Sequence, residues 1–188
     1  MAEDKPDSNE ETDETCIFCL IANEQDKETR IIKKNKELVC FRDIWPAAPH
    51  HYLVVPIEHI HSCFSLHQGH IGLVERMAEM GRAVLHDQGI TDINDMRLGF
   101  HQPPYTSVDH LHLHVLAPAS KICKYLEFKF IPRSFRFVTE SSLRQRLKGI
   151  TPPVKKRGAT NMSEESLNQN EPCAGGAFCL PCLCTTTS

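Results

Sequence analysis

The fold is decided by the sequence HLHLHVL at positions 110–116. Side chains alternate between the two faces of a strand, so His110, His112 and His114 would share one face while the residues between them point into a core. At about 3.3 Å per residue, the outer two imidazoles would lie roughly 13 Å apart, too far for all three to bind one metal ion. The sequence therefore predicts a strand at 108–116 with a row of histidines on one face.

A histidine row of this kind suits nucleophilic chemistry on phosphorus. A neutral imidazole is a good nucleophile near pH 7, and neighbouring imidazoles can supply donors to phosphate oxygens and a proton to the leaving group. His112 has an imidazole on each side and is the expected nucleophile, and His51 would bring one more from a second strand. The alternative is a surface strand that carries three of the 11 histidines by coincidence. A metal site that uses one or two of them is compatible with either interpretation.

The rest of the chain supplies a small sheet and one long helix. Apolar residues recur every three or four positions from Ile71 to Leu85, which predicts an amphipathic helix that Gly89 would end. Strands are predicted at 30–33, 37–42, 51–55, 96–100 and 108–116. Most connections are short, which favours antiparallel pairing. The expected fold is α+β, with about five antiparallel strands packed against a central amphipathic helix.

One ordered domain is predicted at 16–148, with its core in 16–118 and a C-terminal extension after it. Residues 1–15 carry seven acidic groups and too few apolar ones to repay the entropy of ordering, so they are expected to be disordered. Residues 149–188 are rich in Pro, Ser, Thr and Asn and are also expected to be a disordered tail.

Two features are predicted within the extension. Leu126, Phe128 and Phe130 alternate with charged residues, as in an edge strand. Thr139 is placed to cap a short helix that carries Leu143 and Leu147.

Composition excludes several classes of protein. The formal net charge is −3, so no global basic field recruits nucleic acid, which is not the expected partner. No apolar run approaches the length that spans a bilayer, so no membrane partner is expected. The acidic N-terminus lacks a secretory signal, which favours the cytoplasm. The basic triplet 155–157 resembles a minimal nuclear-import signal and adds the nucleus as a second location, although solvated charge is the simpler interpretation. Nine cysteines, an odd number, argue against a disulfide framework.

The sequence at 110–116 resembles the signature of the histidine-triad family, in which histidines alternate with apolar residues. Upstream, the stretches 41–46 and 51–56, followed by His59-Ile60, look like the nucleotide-binding half of the same family. The resemblance covers residues 16 to about 118 and is greatest to the divergent third branch of the histidine triad nucleotide-binding proteins. It implies the histidine-triad fold and the activity of an adenosine 5′-monophosphoramidase.

The resemblance also implies a mechanism. His112 would attack the α-phosphorus and form an AMP–histidine intermediate, which water would hydrolyse to AMP. His114 and the Ser107 hydroxyl would contact phosphate oxygens or the leaving amine, and His51 would support the nucleophile together with His110, the first member of the row. The implied substrates are adenosine 5′-phosphoramidates such as AMP linked to an amine or to lysine, and also acyl-adenylates. No cofactor is required for this chemistry.

Asp43 and Ile44 would bind the nucleoside by the same resemblance, Asp43 through the ribose hydroxyls and Ile44 beside the base. Two positions depart from the better-known branch of the family, because Gly99 replaces an Asn and Thr106 replaces a Gln that contact nucleotide there. Simpler interpretations exist: Asp43 as the cap of a turn, Ile44 as a core residue, and Ser107 as a turn hydroxyl.

A structural zinc site is a separate hypothesis. Cys16 and Cys19 have the spacing of half a zinc site. Some family members complete such a site with histidines that correspond to His59 and His110, which would pin the N-terminal segment to the sheet. The alternative is two buried thiols in an apolar helix. The four cysteines at 173–184 lack an apolar scaffold and are interpreted as having no selected role.

Three classes of function follow from the sequence. The first is a nucleoside phosphoramidase. The second is another nucleotidyl hydrolase of the superfamily, acting on dinucleoside polyphosphates or adenylated DNA. The third is a non-catalytic adaptor that binds nucleotide. The family resemblance also implies a homodimer or a higher homo-oligomer, for which the apolar stripe from Ile71 to Leu85 is one candidate face, although the same stripe would serve the core of a monomer.

Overall fold

The computed structural model describes residues 16–149. The disorder predicted for residues 1–15 and for 149–188 concerns residues outside that range, apart from Gly149, and so do the basic triplet and the cysteines of the tail. No helix within the described residues combines the length and the apolar character that crossing a bilayer requires.

Between residues 16 and 149, six strands form one antiparallel sheet, where the sequence predicted about five. Strands β1 to β6 span Ile31–Lys34, Leu38–Arg42, His50–Pro56, Arg97–His101, Leu113–Ala117 and Phe137–Thr139. Their order across the sheet is β1-β2-β3-β5-β4-β6, and every neighbouring pair is antiparallel. Helices α1 to α3 span Ile17–Ala22, Ile71–Asp87 and Glu140–Leu147. The α+β class is confirmed, and β6 is the strand that the sequence analysis missed.

Helix α2 packs across one face of the sheet with the apolar stripe that its sequence predicts. Val74, Ala78 and Leu85 of that stripe are at most 1% exposed, so the stripe serves the core of the single chain. A Cβ on the helical residue Gly81 would lie 2.6 Å from the side chain of Val115, which shows how closely helix and sheet approach. Gly89, with φ of +79°, follows the helix as predicted.

The opposite face of the sheet is covered in part by helix α1. Along β2, Leu38 and Cys40 join the core beneath α2, whereas Val39 and Phe41 pack with the apolar side chains of α1. This alternation is the period of two that a strand buried on both faces requires. The sheet is therefore covered on both faces, and the residues that face away from α2 are the ones that can form a site beside α1.

The strand predicted at 108–116 begins five residues later, at Leu113. The paired strand β3 ends at Pro56, which has no N–H for a further rung of the ladder. The carbonyl oxygen of Pro56 lies 3.0 Å from Nε2 of His110. The amide of Leu111 donates instead to the carbonyl of Ile60, at 2.6 Å. His110 and His112 consequently lie on an irregular segment before β5, and His114 alone of the histidine row is on a strand.

The C-terminal extension, residues 119–149, folds differently from one of its predictions. The expected edge strand through Leu126, Phe128 and Phe130 is wrong, because residues Glu127–Lys129 form a turn of 3-10 helix that buries Phe130 and leaves Phe128 exposed. The predicted short helix is confirmed as α3, and its first turn is capped by Thr139, whose hydroxyl accepts a hydrogen bond from the amide of Ser142 at 3.3 Å.

Candidate active site

The histidines converge on the sheet face that points away from α2. Leu113 and Val115 belong to the core beneath α2, so His114 between them faces the other way. Nε2 of His51, on the neighbouring strand β3, lies 2.9 Å from Nδ1 of His114. The ring of His112 is 4.9 Å from that of His114, measured between centroids. The structure thus brings together three of the predicted catalytic histidines.

A hydrogen bond from the backbone determines which ring nitrogens of His51 and His114 carry protons. The amide of Ala47 donates to Nδ1 of His51 at 3.1 Å, so a neutral His51 carries its proton on Nε2. That proton is donated to Nδ1 of His114, which places the proton of His114 on its own Nε2. Nε2 of His114 is buried and has no hydrogen-bond partner among the described residues. An unsatisfied buried donor is costly, and here it lies beside His112.

His112 is oriented by the backbone of its own segment. Its Nδ1 lies 2.6 Å from the carbonyl oxygen of His110 and must donate to it. A neutral His112 therefore has its lone pair on Nε2, the atom that would attack an electrophile. The ring of Phe18 from α1 packs against it edge-on, with centroids 5.2 Å apart. His110 thus acts on the site through its carbonyl group, which holds the central imidazole in one tautomer.

Burial keeps this cluster uncharged. It lowers the pKa of His51 to about 3, an effect to which nearby positive charge on other imidazoles contributes. Burial likewise holds the pKa of His112 below its usual value and that of His114 well below it. Neutral imidazoles can be both acceptors and donors, as a nucleophile and its neighbouring proton donor must be.

His101 is a member of the cluster that sequence reasoning missed. It ends β4, its ring lies 4.3 Å from that of His114 between centroids, and its Nε2 donates to the carbonyl of Lys129 at 3.2 Å. Burial lowers its pKa to about 4. The sequence held only part of a signal, since His101 is two residues from Gly99 and shares its face of a strand. The structure adds that Gly99 pairs with His114 across the sheet.

Asp43 and Ile44 lie in the loop between β2 and β3. One carboxylate oxygen of Asp43 accepts the amide of Trp45 at 2.8 Å, and the other lies 3.4 Å from Nε2 of His51. Asp43 therefore caps its turn and also faces the histidines, and burial raises its pKa. Ile44 is 83% exposed, so the alternative of a core residue is wrong and its side chain is free to contact a ligand.

A cavity of about 300 Å³ opens beside the histidines. Ser107 lines it and is exposed. The hydroxyl of Thr106, also in the wall, donates to a carboxylate oxygen of Asp109 at 3.2 Å. The other residues that line the cavity are His101, Pro104, Tyr105, Lys129 and Arg136. Two of these come from the C-terminal extension, which sequence reasoning had not connected with the site.

The four predicted zinc ligands also come together, at the other end of the histidine row. Their ligand atoms lie within 4.8 Å of one another. Nδ1 of His59 is 3.2 Å from Sγ of Cys19, and Nδ1 of His110 is 3.5 and 3.4 Å from Sγ of Cys16 and Cys19. Tetrahedral zinc with these ligands would separate neighbouring ligand atoms by about 3.3–3.8 Å. The donor set and its spacing fit that ion.

Comparison with known proteins places the chain in a family. The family model described as "Scavenger mRNA decapping enzyme C-term binding" matches residues 15–125. Adenosine 5′-monophosphoramidase HINT3 of Danio rerio is 55% identical over 69% of this chain and 82% of its own length. The Xenopus tropicalis protein of that name is 44% identical over 73% and 90%. A HIT family hydrolase structure from Clostridium thermocellum has a TM-score of 0.51 at 28% identity, over 55% of this chain and 90% of its own. The chain belongs to the histidine-triad family.

Where this histidine-triad protein departs from the better-known branch, the structure gives a reason. Strand β6 of the extension pairs with β4 so that Thr139 lies opposite Gly99. A Cβ at position 99 would come within 2.5 Å of the Phe137 ring and of the Val138 carbonyl oxygen. An Asn cannot occupy this position while β6 is docked. The extension can therefore pack beside the candidate active site only because residue 99 is a glycine.

Proposed function

We propose that this chain hydrolyses adenosine 5′-phosphoramidates to AMP through a covalent AMP–His112 intermediate. One observation carries the proposal: Nδ1 of His112 is occupied by a backbone carbonyl at 2.6 Å, so the lone pair of Nε2 is available beside the Nε2–H of His114, which no group in residues 16–149 accepts. A nucleophile and a proton donor are thereby held next to each other in a buried site. Relatives named adenosine 5′-monophosphoramidase, 55% and 44% identical to this chain, support the substrate class.

In the first step, the lone pair of His112 Nε2 forms a bond to the α-phosphorus and the bond from phosphorus to the amine breaks. The leaving nitrogen takes the electron pair of that bond and a proton, for which the Nε2–H of His114 is the donor placed closest to the nucleophile. The negative charge left on the His114 ring is balanced by the positive charge that His112 gains when its Nε2 bonds to phosphorus. In the second step, the oxygen of water bonds to phosphorus, His112 departs with its electron pair, and a proton of the water restores the imidazole that gave one up.

The nucleoside is proposed to lie towards the loop between β2 and β3. Asp43 accepts hydrogen bonds from the ribose hydroxyls, which suits an acceptor-only carboxylate, and the exposed side chain of Ile44 contacts the base. Ser107 donates to a phosphate oxygen from the wall of the cavity. His51 holds the tautomer of His114 through the 2.9 Å hydrogen bond between them, so its role is to position the proton donor.

The reaction as proposed needs no cofactor, because imidazoles supply both the nucleophile and the proton. We propose zinc as a structural ion at Cys16, Cys19, His59 and His110. Four protein ligands fill a tetrahedral site and leave no open position for substrate. Nε2 of His110 donates to the Pro56 carbonyl at 3.0 Å, which orients the ring with its Nδ1 lone pair towards the sulfurs. The ion would tie α1 to the sheet and to the histidine row.

Assembly and location remain predictions. We propose a homodimer or a higher homo-oligomer, formed through a surface other than the apolar stripe of α2, because Val74, Ala78 and Leu85 are used within the single chain. Light scattering of the purified chain measures its mass in solution. We propose action in the cytoplasm and also in the nucleus, which imaging of a tagged chain with and without the basic triplet at 155–157 tests.

The proposed function is tested by mass spectrometry of protein quenched during turnover of an adenosine 5′-phosphoramidate. An AMP adduct is expected on His112, and it should be absent from the His112→Ala variant together with AMP release. Binding of nucleotide without an adduct or AMP release would instead support a nucleotide-binding adaptor. Release of AMP that survives in His112→Ala would contradict the assignment of the nucleophile.

A further inference from the structure

The cavity beside the histidines is built from two parts of the chain. His101 and Ser107 come from the region that the family model covers, whereas Lys129 and Arg136 come from the extension beyond residue 125. We call this space the leaving-group cavity. Its volume of about 300 Å³ is at the lower end of the range of small-molecule sites, about 300–1,000 Å³. The space is therefore large enough for a small group such as an amino acid.

Arg136 is held in place without a carboxylate. Its guanidinium carbon lies 4.1 Å from the ring centroid of Tyr105 and 5.0 Å from that of Phe135. Within the described residues, no carboxylate forms an ion pair with it, whereas Arg76, Arg82 and Arg144 are all paired. Stacking fixes the plane of a guanidinium and leaves the N–H groups at its edge able to bind a planar anion in a bidentate manner.

Lys129 is a second cation in the same wall that forms no ion pair with the described residues. Its carbonyl oxygen accepts the Nε2–H of His101 at 3.2 Å, which fixes this residue next to the histidine cluster. Its positive charge also contributes to lowering the pKa of His101 and of His114. The same charge also acts on the carboxylate of Asp43, whose pKa burial raises and Lys129 lowers in part. An ammonium in this wall that forms no close ion pair with a described residue favours an anion in the cavity.

The cavity lies apart from the residues proposed to hold the nucleoside. Neither Asp43 nor Ile44 lines it, whereas His101, whose ring is 4.3 Å from that of the proton donor His114, forms part of its wall. A group in the cavity would therefore be attached to the atom that receives the proton. In the proposed reaction, this atom is the nitrogen of the leaving group.

We propose that Arg136 and Lys129 select AMP conjugates whose leaving amine carries a carboxylate, as when AMP is joined through nitrogen to an amino acid. The inference rests on the proposed function for the reaction itself and adds the class of leaving group. The bonds that form and break are unchanged. The two cations bind the carboxylate and thereby hold the leaving nitrogen near His114.

The test compares two conjugates of nearly identical shape: AMP joined through nitrogen to alanine, and AMP joined in the same way to alaninamide, which lacks the negative charge. The intact chain is expected to show a kcat/KM at least about tenfold higher for the alanine conjugate, the size of one charge-assisted contact. Arg136→Gln and Lys129→Gln should each lower kcat/KM for the alanine conjugate much more than for alaninamide. Lys124→Gln, which removes an exposed charge outside the cavity, is the matched control and should change neither.

Two kinetic outcomes would overturn the inference. Equal kcat/KM for the two conjugates in the intact chain would mean that the cavity does not recognise the carboxylate. Equal losses for both conjugates in Arg136→Gln mean that the cation serves the phosphate of AMP. If neither conjugate is hydrolysed, the proposed function fails, and calorimetry of both conjugates with His112→Ala then decides the inference separately. Equal affinities for the two conjugates would overturn it. Tighter binding of the alanine conjugate would support it.

Discussion

The two ends of the histidine row can be compared directly, because His110 and His114 are the same residue type, both buried, each two positions from His112. Nε2 of His110 is bound to a backbone carbonyl, and its Nδ1 faces two cysteine sulfurs. For His114 the roles of the nitrogens are exchanged: Nδ1 accepts from His51, and Nε2 carries a proton that no described residue accepts. One end presents a lone pair suited to a metal ion, and the other presents a proton suited to a leaving group.

The comparison teaches that the hydrogen-bond partner decides what a histidine can do. The repeat in sequence makes the two residues look equivalent, but the partner fixes the tautomer, and the tautomer fixes whether the free nitrogen donates or accepts. If this is correct, changes at the end that holds His110 should alter the stability of the fold and leave catalysis intact. Changes at the end that holds His114 should alter catalysis and leave stability intact.

The largest expected effect is on stability, at the end that holds His110. Replacing Cys16 and Cys19 together by Ser should abolish zinc binding and lower the free energy of unfolding by about 5 kcal/mol or more, because ligand binding and folding are coupled in such sites. Native mass spectrometry measures the metal, and chemical denaturation measures the stability. The exposed Cys123→Ser is the matched control. A wild-type protein that binds no zinc, or is indifferent to chelators, would remove this half of the comparison.

The second effect concerns the chemistry, at the end that holds His114. His114→Ala should lower kcat for an adenosine 5′-phosphoramidate by about 10²–10⁴-fold, the contribution of a positioned proton donor, with zinc content unchanged. Single-turnover kinetics with the intact chain and the variant provide the measurement. The same substitution at the exposed His86 of α2 should leave kcat unaltered. Loss of zinc from His114→Ala would show that the two ends are not separable.

A third effect, at Gly99, tests whether the C-terminal extension packs beside the end of the histidine row that holds His114. Gly99→Ala should cost about 2–3 kcal/mol of stability, because the new Cβ overlaps the Phe137 ring and the Val138 carbonyl at 2.5 Å. Gly72→Ala, where only the end of the flexible Arg76 side chain lies near, at 3.0 Å, should be neutral or stabilising, as is usual within a helix. Denaturation midpoints of the two variants provide the test. Equal changes in stability for the two variants would mean that β6 can shift to accept the new Cβ without loss of stability.

The smallest effect is on pH dependence. The pKa of His101 is about 4 in the fold against 6.5 as its ordinary value, so as pH falls from 6.5 towards 4 the unfolded chain binds a proton that the folded chain excludes. Stability attributable to His101 is therefore complete above pH 6.5 and decreases below it, by about 1–2 kcal/mol at pH 5. His101→Gln should lose correspondingly less stability between pH 7 and pH 5. Both proteins keep the same cysteines of the proposed zinc site, so any pH dependence of that site is common to both. A difference between them in how stability changes with pH therefore reports on His101. Parallel curves would contradict the prediction.

Much of this arrangement could be predicted from the sequence, since periodicity reports burial directly. The alternation in 110–116 and the helical stripe from Ile71 to Leu85 gave the sheet, the helix and the predicted histidines. Local pattern could not show that the strand begins only at Leu113, because the cause lies in Pro56 and Ile60, about 50 residues away in the chain. Contacts that depend on such distant segments have no local signature.

The contribution of the extension could not be predicted for a related reason. Phe137–Thr139 is too short to show a period, and its place beside β4 depends on the missing side chain of Gly99. Lys129 and Arg136 read as ordinary surface charges until the turn at Glu127–Lys129 and strand β6 bring them to the cavity. The sequence identified the residues proposed to act on the nucleotide but not those proposed to recognise what is attached to it.

The position of β6 at the edge of the sheet has a consequence for motion. It is three residues long and, within the part of the chain that the structure describes, pairs with one neighbour, whereas β3 and β5 are paired on both sides. Short edge elements open at lower free energy than the centre of a sheet, without global unfolding. Amide hydrogens of Phe137–Thr139 should therefore exchange faster than those of β3 and β5. Each such opening would move Arg136 away from the cavity, which provides an exit for the released amine while the nucleophile stays in place.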